Sequence, residues 1–124
     1  MLDKLTHVPI LVNDQDKALA FYVDKLGFEK RQDHSNKSAR WLTVAPPGAA
    51  VEFALVKGEY LVDPRANESV QFTLATPDCR AEAAKLKARG VAVGEPAEMP
   101  FGVLAKFLDP DGNRFALLQP AEAR

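Results

Sequence analysis

The sequence lacks the features that mark several large classes of protein. It has one cysteine, Cys79, so no intrachain disulfide can form, and this suits a reducing cytoplasm. No apolar run approaches the roughly 20 residues that a membrane span needs. Residues 1–4 lack the charged and apolar regions of a signal peptide. A formal net charge of −1 gives no electrostatic reason to expect binding to nucleic acid or to an anionic membrane. We therefore expect a soluble cytoplasmic domain.

The composition is ordinary for a globular protein, and one sequence pattern occurs twice. Of the 124 residues, 47% are hydrophobic and 27% are charged, which suits a single compact domain. Residues 45–48 (Ala-Pro-Pro-Gly) and 109–112 (Asp-Pro-Asp-Gly) are turn sequences in which Pro presets φ and Gly accepts a positive φ. They lie 64 residues apart, and each precedes a run typical of a strand. The repetition predicts two similar modules.

Periodicity predicts an α+β domain that spans 1–124 and has a β-α-β-β-β order in each module. Module one covers about 4–56, a polar connector covers 57–68, and module two covers about 69–119. The first helix begins at Asn13 or Asp14 and ends at Gly27, whereas the second has Thr76 as its N-cap. Residues 94–102 are predicted to form a lid or rim loop. The predicted strands are 5–12, 28–33, 40–45 and 51–55, then 70–75, 91–93, 104–108 and 113–119.

The offset of 64 residues also matches polar positions on the predicted strands. It relates His7 to Gln71 and Glu52 to Ala116. One face of each opening and closing strand is apolar and should cover a helix, so the second faces should enclose a cleft. Imidazole, carboxylate and amide oxygen suit a divalent metal such as Mn, Fe, Ni, Co or Zn. Taken alone, His7 is better explained as an ordinary surface or hydrogen-bonded histidine, and Glu52 and Gln71 as the solvent face of a half-exposed strand; only the equal offset favours the three together.

Several segments resemble the vicinal oxygen chelate superfamily, which includes glyoxalase I, bleomycin- and fosfomycin-resistance proteins and extradiol dioxygenases. The resemblance implies two β-α-β-β-β modules that form a cupped mixed sheet around a cleft, in a subunit that usually pairs as a homodimer. The segments that carry it are His7-Val8, Asn13-Asp14, residues 20–28 (Ala-Phe-Tyr-Val-Asp-Lys-Leu-Gly-Phe) and residues 107–113 (Phe-Leu-Asp-Pro-Asp-Gly-Asn).

The resemblance also places the family's metal ligands on this chain. They fall on His7, Glu52, Gln71 and Ala116. The last of these positions usually holds a glutamate, which ligates the metal and in glyoxalase I helps to move the substrate proton. A methyl group can do neither. The resemblance therefore implies an incomplete metal site, with a divalent metal bound weakly or not at all, and it disfavours glyoxalase I and extradiol dioxygenase activity.

Three functional hypotheses follow. The first is a small-molecule-binding protein that sequesters its ligand, as bleomycin-resistance-type members do, with Trp41, Phe101 and Arg114 as ligand-binding residues. Met99 and Arg40 are further candidates for the same role. Trp41 is equally well explained as a structural aromatic residue on a central strand. The second hypothesis is a metal-dependent lyase or isomerase, and the third is a domain that binds a protein partner.

Overall fold

A computed structural model describes residues 1–57 and 70–122 of the chain. The predicted connector lies outside the described residues from residue 58 onward. The fold is α+β, with two four-stranded mixed sheets and two helices. The chain forms two compact units, Met1–Glu68 and Ser69–Arg124. No helix within the described ranges is both long and apolar enough to cross a membrane.

The first unit has the predicted β-α-β-β-β order. Its sheet has the strand order β1-β4-β3-β2, in which β1 runs parallel to β4 and the other pairs are antiparallel. Helix α1 continues directly into one π-helical segment, Phe21–Lys25. The elements are β1 (His7–Leu11), α1 (Gln15–Ala20), β2 (Glu29–Ser35), β3 (Arg40–Ala45) and β4 (Glu52–Val56).

The second unit repeats this arrangement. Its sheet has the strand order β5-β8-β7-β6, again with one parallel pair, β5 and β8. The elements are β5 (Gln71–Ala75), α2 (Cys79–Ala88), β6 (Ala97–Met99), β7 (Gly102–Leu108) and β8 (Arg114–Pro120).

The first helix begins and ends where its local chemistry requires. Asp14 is the N-cap, and its carboxylate accepts hydrogen bonds from the backbone N–H groups of Asp16 and Lys17 at 3.0 and 3.1 Å. Gly27 follows the helix with a φ of 79°, which permits the reversal into β2. The segment between them places Tyr22 in the core, where its side chain is fully buried. Apolar spacing and capping together therefore account for this helix.

Two predictions about the second unit were wrong. The N-cap of α2 is Asp78 and not Thr76, because the Asp78 carboxylate accepts a hydrogen bond from the N–H of Ala81 at 3.1 Å. The short strand after α2 is β6, which lies within the predicted loop 94–102 and pairs with β7. The predicted strand 91–93 contributes only an isolated bridge from Val93 to Phe107. The cap was decided locally, by a carboxylate three residues from the N–H that it accepts from, whereas the place of β6 was decided by pairing with β7.

The offset of 64 residues holds for the opening strands but not for the register of the closing strands. His7 lies opposite Glu52, whereas Gln71 lies opposite Arg114. The residue in the second unit that corresponds to Glu52 by register is therefore Arg114. The reason is local. Strand β8 begins two residues after its turn glycine, Gly112, whereas β4 begins four residues after its turn glycine, Gly48. Because side chains alternate with a period of two, Arg114 and Ala116 still share one face.

Candidate functional site

The first sheet carries a polar and aromatic set of side chains on the face away from its buried apolar residues. Strand alternation places Leu42 and Val44 in the core and turns their neighbours Trp41 and Thr43 to the other face. Residues from three other strands join them there. We call this surface the His7–Glu52 face, and it consists of His7, Gln32, Trp41, Thr43 and Glu52.

The parallel pairing of β1 and β4 brings two of the predicted metal ligands together. His7 and Glu52 are register partners, and Nε2 of His7 lies 3.3 Å from Oε1 of Glu52. Their side chains are 30% and 18% exposed. Nδ1 of His7 lies 3.0 Å from the hydroxyl oxygen of Thr6. Nε2 of His7 also lies 3.4 Å from Nε2 of Gln32. We assign the tautomer in which Nε2–H donates to Glu52 and Nδ1 accepts from Thr6, because a lone pair on Nε2 would otherwise face the carboxylate, and the Gln32 amide then donates to Glu52 alone.

A β-bulge in β2 adds two residues that sequence reasoning missed. The register of β2 against β3 shifts between Lys30 and Gln32, so that Arg31 is the extra residue. Gln32 donates from Nε2 to Oε1 of Glu52 at 3.1 Å. Nη1 of Arg31 lies 3.6 Å from Oε2 of Glu52, and Nη2 of Arg31 donates to the carbonyl oxygen of Pro46 at 3.1 Å. Both carboxylate oxygens of Glu52 therefore face N–H groups.

These neighbours hold the pKa of Glu52 below its ordinary value. The largest effect comes from the hydroxyl of Thr43, then from the Gln32 amide, and the His7 ring contributes further. Thr43 is fully buried. Among the described residues its hydroxyl has no partner in a well-formed hydrogen bond, so its effect on Glu52 is that of a nearby buried dipole. Glu52 therefore remains an anion at neutral pH.

The lowered pKa predicts how stability responds to acid. A carboxyl group whose pKa is lower in the folded state stabilises the protein above its unfolded pKa, and this stabilisation is lost as the pH falls through the folded value. Urea unfolding between about pH 7 and about pH 3 should therefore show a smaller loss of stability in Glu52→Gln than in the wild type. Glu98→Gln, at an exposed carboxylate paired with Arg80, is the control. An equal loss in wild type and Glu52→Gln would contradict the prediction.

His7 and Glu52 do not by themselves complete a divalent metal site. They supply one imidazole nitrogen and one carboxylate, and the Arg31 guanidinium beside Glu52 disfavours a second cation there. Among residues 1–57 and 70–122, no three His, Cys, Asp or Glu side chains come together in a way that could hold a metal ion. Gln71 lies at the start of β5 in the second unit, and its part in a three-residue set stays a prediction.

The predicted ligand-binding residues have different environments in the two units. Trp41 is 38% exposed, and its ring centroid lies 5.2 Å from that of His7 in an edge-on arrangement. Phe101 is 52% exposed and lies in the turn between β6 and β7. Arg114 is exposed at the start of β8. Arg40 pairs with Asp33 at 2.9 Å and with Asp16 at 2.7 Å, and its role toward a ligand stays a prediction.

The second unit contains a cleft that includes two of the predicted site residues, Gln71 and Arg114. Its volume is about 300 Å³, and Ala116, which is fully buried, does not line it. Three of its lining residues are polar or charged, and the other four are apolar. The lining residues are Gln71, Ala92, Lys106, Phe107, Leu108, Arg114 and Phe115.

Comparisons with known proteins agree on one superfamily. The model of the Glyoxalase/Bleomycin resistance protein/Dioxygenase superfamily matches residues 4–117. The crystal structure of TnmS3, an antibiotic binding protein from Streptomyces sp. CB03234, is 38% identical, with a TM-score of 0.87 over 97% of this chain and 98% of that chain. A superfamily member from Sphaerobacter thermophilus DSM 20745 is also 38% identical, with a TM-score of 0.83 over 94% and 97%. The uncharacterized protein YetH of Bacillus subtilis (strain 168) is 35% identical over 94% of this chain and 98% of its own length.

Proposed function

Because this chain belongs to the Glyoxalase/Bleomycin resistance protein/Dioxygenase superfamily, we propose that it binds and sequesters a small aromatic molecule on its His7–Glu52 face. The observation that carries the proposal is the half-exposed indole of Trp41 beside the hydrogen-bonded group of His7, Glu52 and Gln32. An aromatic plane beside fixed polar groups is the usual composition of a small-molecule site. The similarity to TnmS3, whose description is that of an antibiotic binding protein, supports a small-molecule ligand.

Binding is favoured over catalysis because Glu52, the carboxylate of this face, is a poor general base. An efficient general base has a pKa near the working pH, whereas the pKa of Glu52 is lowered and both of its oxygens face N–H groups. Ala116 holds a fully buried methyl group where the superfamily resemblance places a glutamate. The proposal includes a homodimer, as the resemblance implies, and a cytoplasmic location, which suits the single cysteine.

The test uses Trp41, which is the only tryptophan in the chain. Titration with a panel of aromatic antibiotics, including a bleomycin and an anthraquinone, should give saturable quenching of its fluorescence for at least one member. Isothermal titration calorimetry with that ligand should show Kd raised about tenfold or more in Trp41→Ala, since a lost aromatic anchor costs at least about 1.4 kcal/mol.

The matched control is Leu19→Ala, which removes a half-buried apolar side chain from α1 in the same unit. Its Kd should stay within about twofold of the wild-type value. A Trp41→Ala variant that binds the ligand as tightly as the wild type would show that the proposed surface is not the site.

A metal-dependent lyase or isomerase that uses His7, Glu52 and Gln71 is the second candidate, and the 3.3 Å approach of His7 to Glu52 favours it. Metal analysis of protein purified without chelator separates the two functions. Stoichiometric metal in the wild type that is lost in Glu52→Ala would favour the enzyme. Tight binding of an aromatic ligand by metal-free protein would favour sequestration.

A further inference from the structure

Two cationic side chains lie side by side on one face of the second sheet. Arg114 on β8 is opposite Gln71 on β5 and opposite Leu108 on β7. Lys106 is opposite Ala116, so it lies diagonally across the β7–β8 pair from Arg114 on the same face. Directly opposite residues are about 5 Å apart and diagonal ones about 7–8 Å. The side chains of Lys106 and Arg114 can therefore reach one small anion together.

Neither cation has a counter-charge in the described part of the chain. Three other basic residues of this unit form ion pairs, namely Lys87 with Glu95, Lys85 with Glu82 and Arg80 with Glu98. Within residues 1–57 and 70–122, the side chains of Lys106 and Arg114 take part in no ion pair or hydrogen bond. Neighbouring like charges on a sheet are unfavourable, so an anion bound between them would relieve their repulsion.

Both cations line the cleft of about 300 Å³, and so does the Gln71 amide, which can donate a hydrogen bond. The remaining walls are apolar. Leu108 lies on the same face as the two cations, whereas the rings of Phe107 and Phe115 turn to the buried face of the same strands. There they stack with ring centroids 5.3 Å apart and an interplanar angle of 11°. A cleft of this size suits a small ligand with an apolar body and one anionic end.

We propose that this cleft is a binding site for a small organic acid, whose carboxylate or phosphate is held by Lys106 and Arg114 with a hydrogen bond from Gln71. The apolar part of the acid lies against Leu108, which shares the face of the two cations, and against Ala92. The proposal uses only residues of the second unit, so it stands or fails independently of the His7–Glu52 face.

The test compares four probes on the full chain by titration in ¹⁵N–¹H NMR spectra: benzoate, phenyl phosphate, inorganic phosphate and neutral benzamide. Benzoate or phenyl phosphate should shift the amide signals of β7 and β8 and should bind about tenfold or more tightly than benzamide. Whichever of the two binds more tightly identifies the acidic group. Added salt should weaken binding, because both cations are exposed to solvent. Inorganic phosphate should bind more weakly than phenyl phosphate if the apolar wall contributes.

The variants Lys106→Met and Arg114→Gln should each raise the Kd of the tighter acid about tenfold or more. Lys87→Met is the matched control, since it removes the same charge from an exposed lysine of α2 in the same unit. It should leave the Kd unchanged. Circular dichroism melts verify that each variant folds, and Lys106→Gln replaces Lys106→Met if that variant does not.

Three results would overturn the proposal. The first is equal binding of benzamide and benzoate, which would remove the role of the charge. The second is unchanged affinity in a folded Lys106 variant. The third is the absence of binding by any of the four probes at about 10 mM, the weakest affinity that a paired-cation site of this kind should show.

Discussion

Asp109→Ala is expected to lower the free energy of unfolding by about 3–5 kcal/mol, the largest loss we expect from a single polar side chain in this protein. Asp109 is 5% exposed. Its Oδ1 accepts hydrogen bonds from the backbone N–H groups of Asp111 and Asn113 at 2.9 and 2.8 Å, and its Oδ2 accepts one from Nδ2 of Asn113 at 2.8 Å. Alanine would remove the acceptor of all three of these hydrogen bonds. Urea unfolding monitored by circular dichroism measures the loss.

An exchange of the two side chains tests whether the hydrogen bonds are the cause. In Asp109→Asn, an amide N–H₂ would face Nδ2 of Asn113, so two donors would meet. The double variant Asp109→Asn/Asn113→Asp restores a donor and an acceptor across the same gap. It should be at least about 1 kcal/mol more stable than the sum of the two single changes predicts. If Asp109→Ala unfolds within about 0.5 kcal/mol of the wild type, the turn does not depend on this carboxylate.

Gly102→Ala is expected to cost about 2–4 kcal/mol, because the position excludes a side chain in two ways. Its φ is +142°, in the region that favours glycine. A Cβ atom there would also collide with the backbone carbonyl oxygen of Gln119 and approach the N–H of Ala121 at 3.0 Å. Gly102 begins β7, where it pairs with Met99 and Pro120, so the collision would separate strands that hold β6 in the sheet. Thermal unfolding and amide exchange in β6 measure the effect.

Two other glycines separate backbone strain from collision. Gly112 has a φ of +83° but open space around its Cβ position, so Gly112→Ala should cost about 1 kcal/mol. Gly94 would meet only the carbonyl oxygen of Lys106 at 3.6 Å, and Gly94→Ala should stay within about 0.5 kcal/mol of the wild type. Equal losses in Gly102→Ala and Gly112→Ala would show that the collision contributes nothing.

The turn around Asp109 illustrates how much local chemistry can be predicted. The Asp-Pro-Asp-Gly sequence predicted an aspartate that binds its own backbone two residues on and a glycine with positive φ. Both are found, in the hydrogen bond from Asp111 to Asp109 and in the φ of +83° at Gly112. What could not be predicted is that Asp109 is buried and also binds Asn113. Its burial depends on the strands that pack around the turn.

The polar face of the first unit shows where prediction from the sequence ended. Alternation on β1 and β4 correctly put His7 and Glu52 on one face, and strand pairing placed them 3.3 Å apart. The roles of Arg31 and Gln32 were missed, because a bulge changes which side chains of a strand share a face. Arg40 was considered as a ligand contact. Its ion pair with Asp33 could not be predicted, because the two residues are brought together by the pairing of β2 with β3.

The sequence by itself determined the order of helices and strands in both units, the cap of the first helix and the chemistry of the turns. These depend on periodicity and on contacts between residues only a few positions apart. The tertiary structure alone decided the two-residue register difference between the units, the bulge in β2 and the pairing state of each charge. It alone made Lys106 and Arg114 unpaired neighbours on one face, since strand register is set by how whole sheets pack.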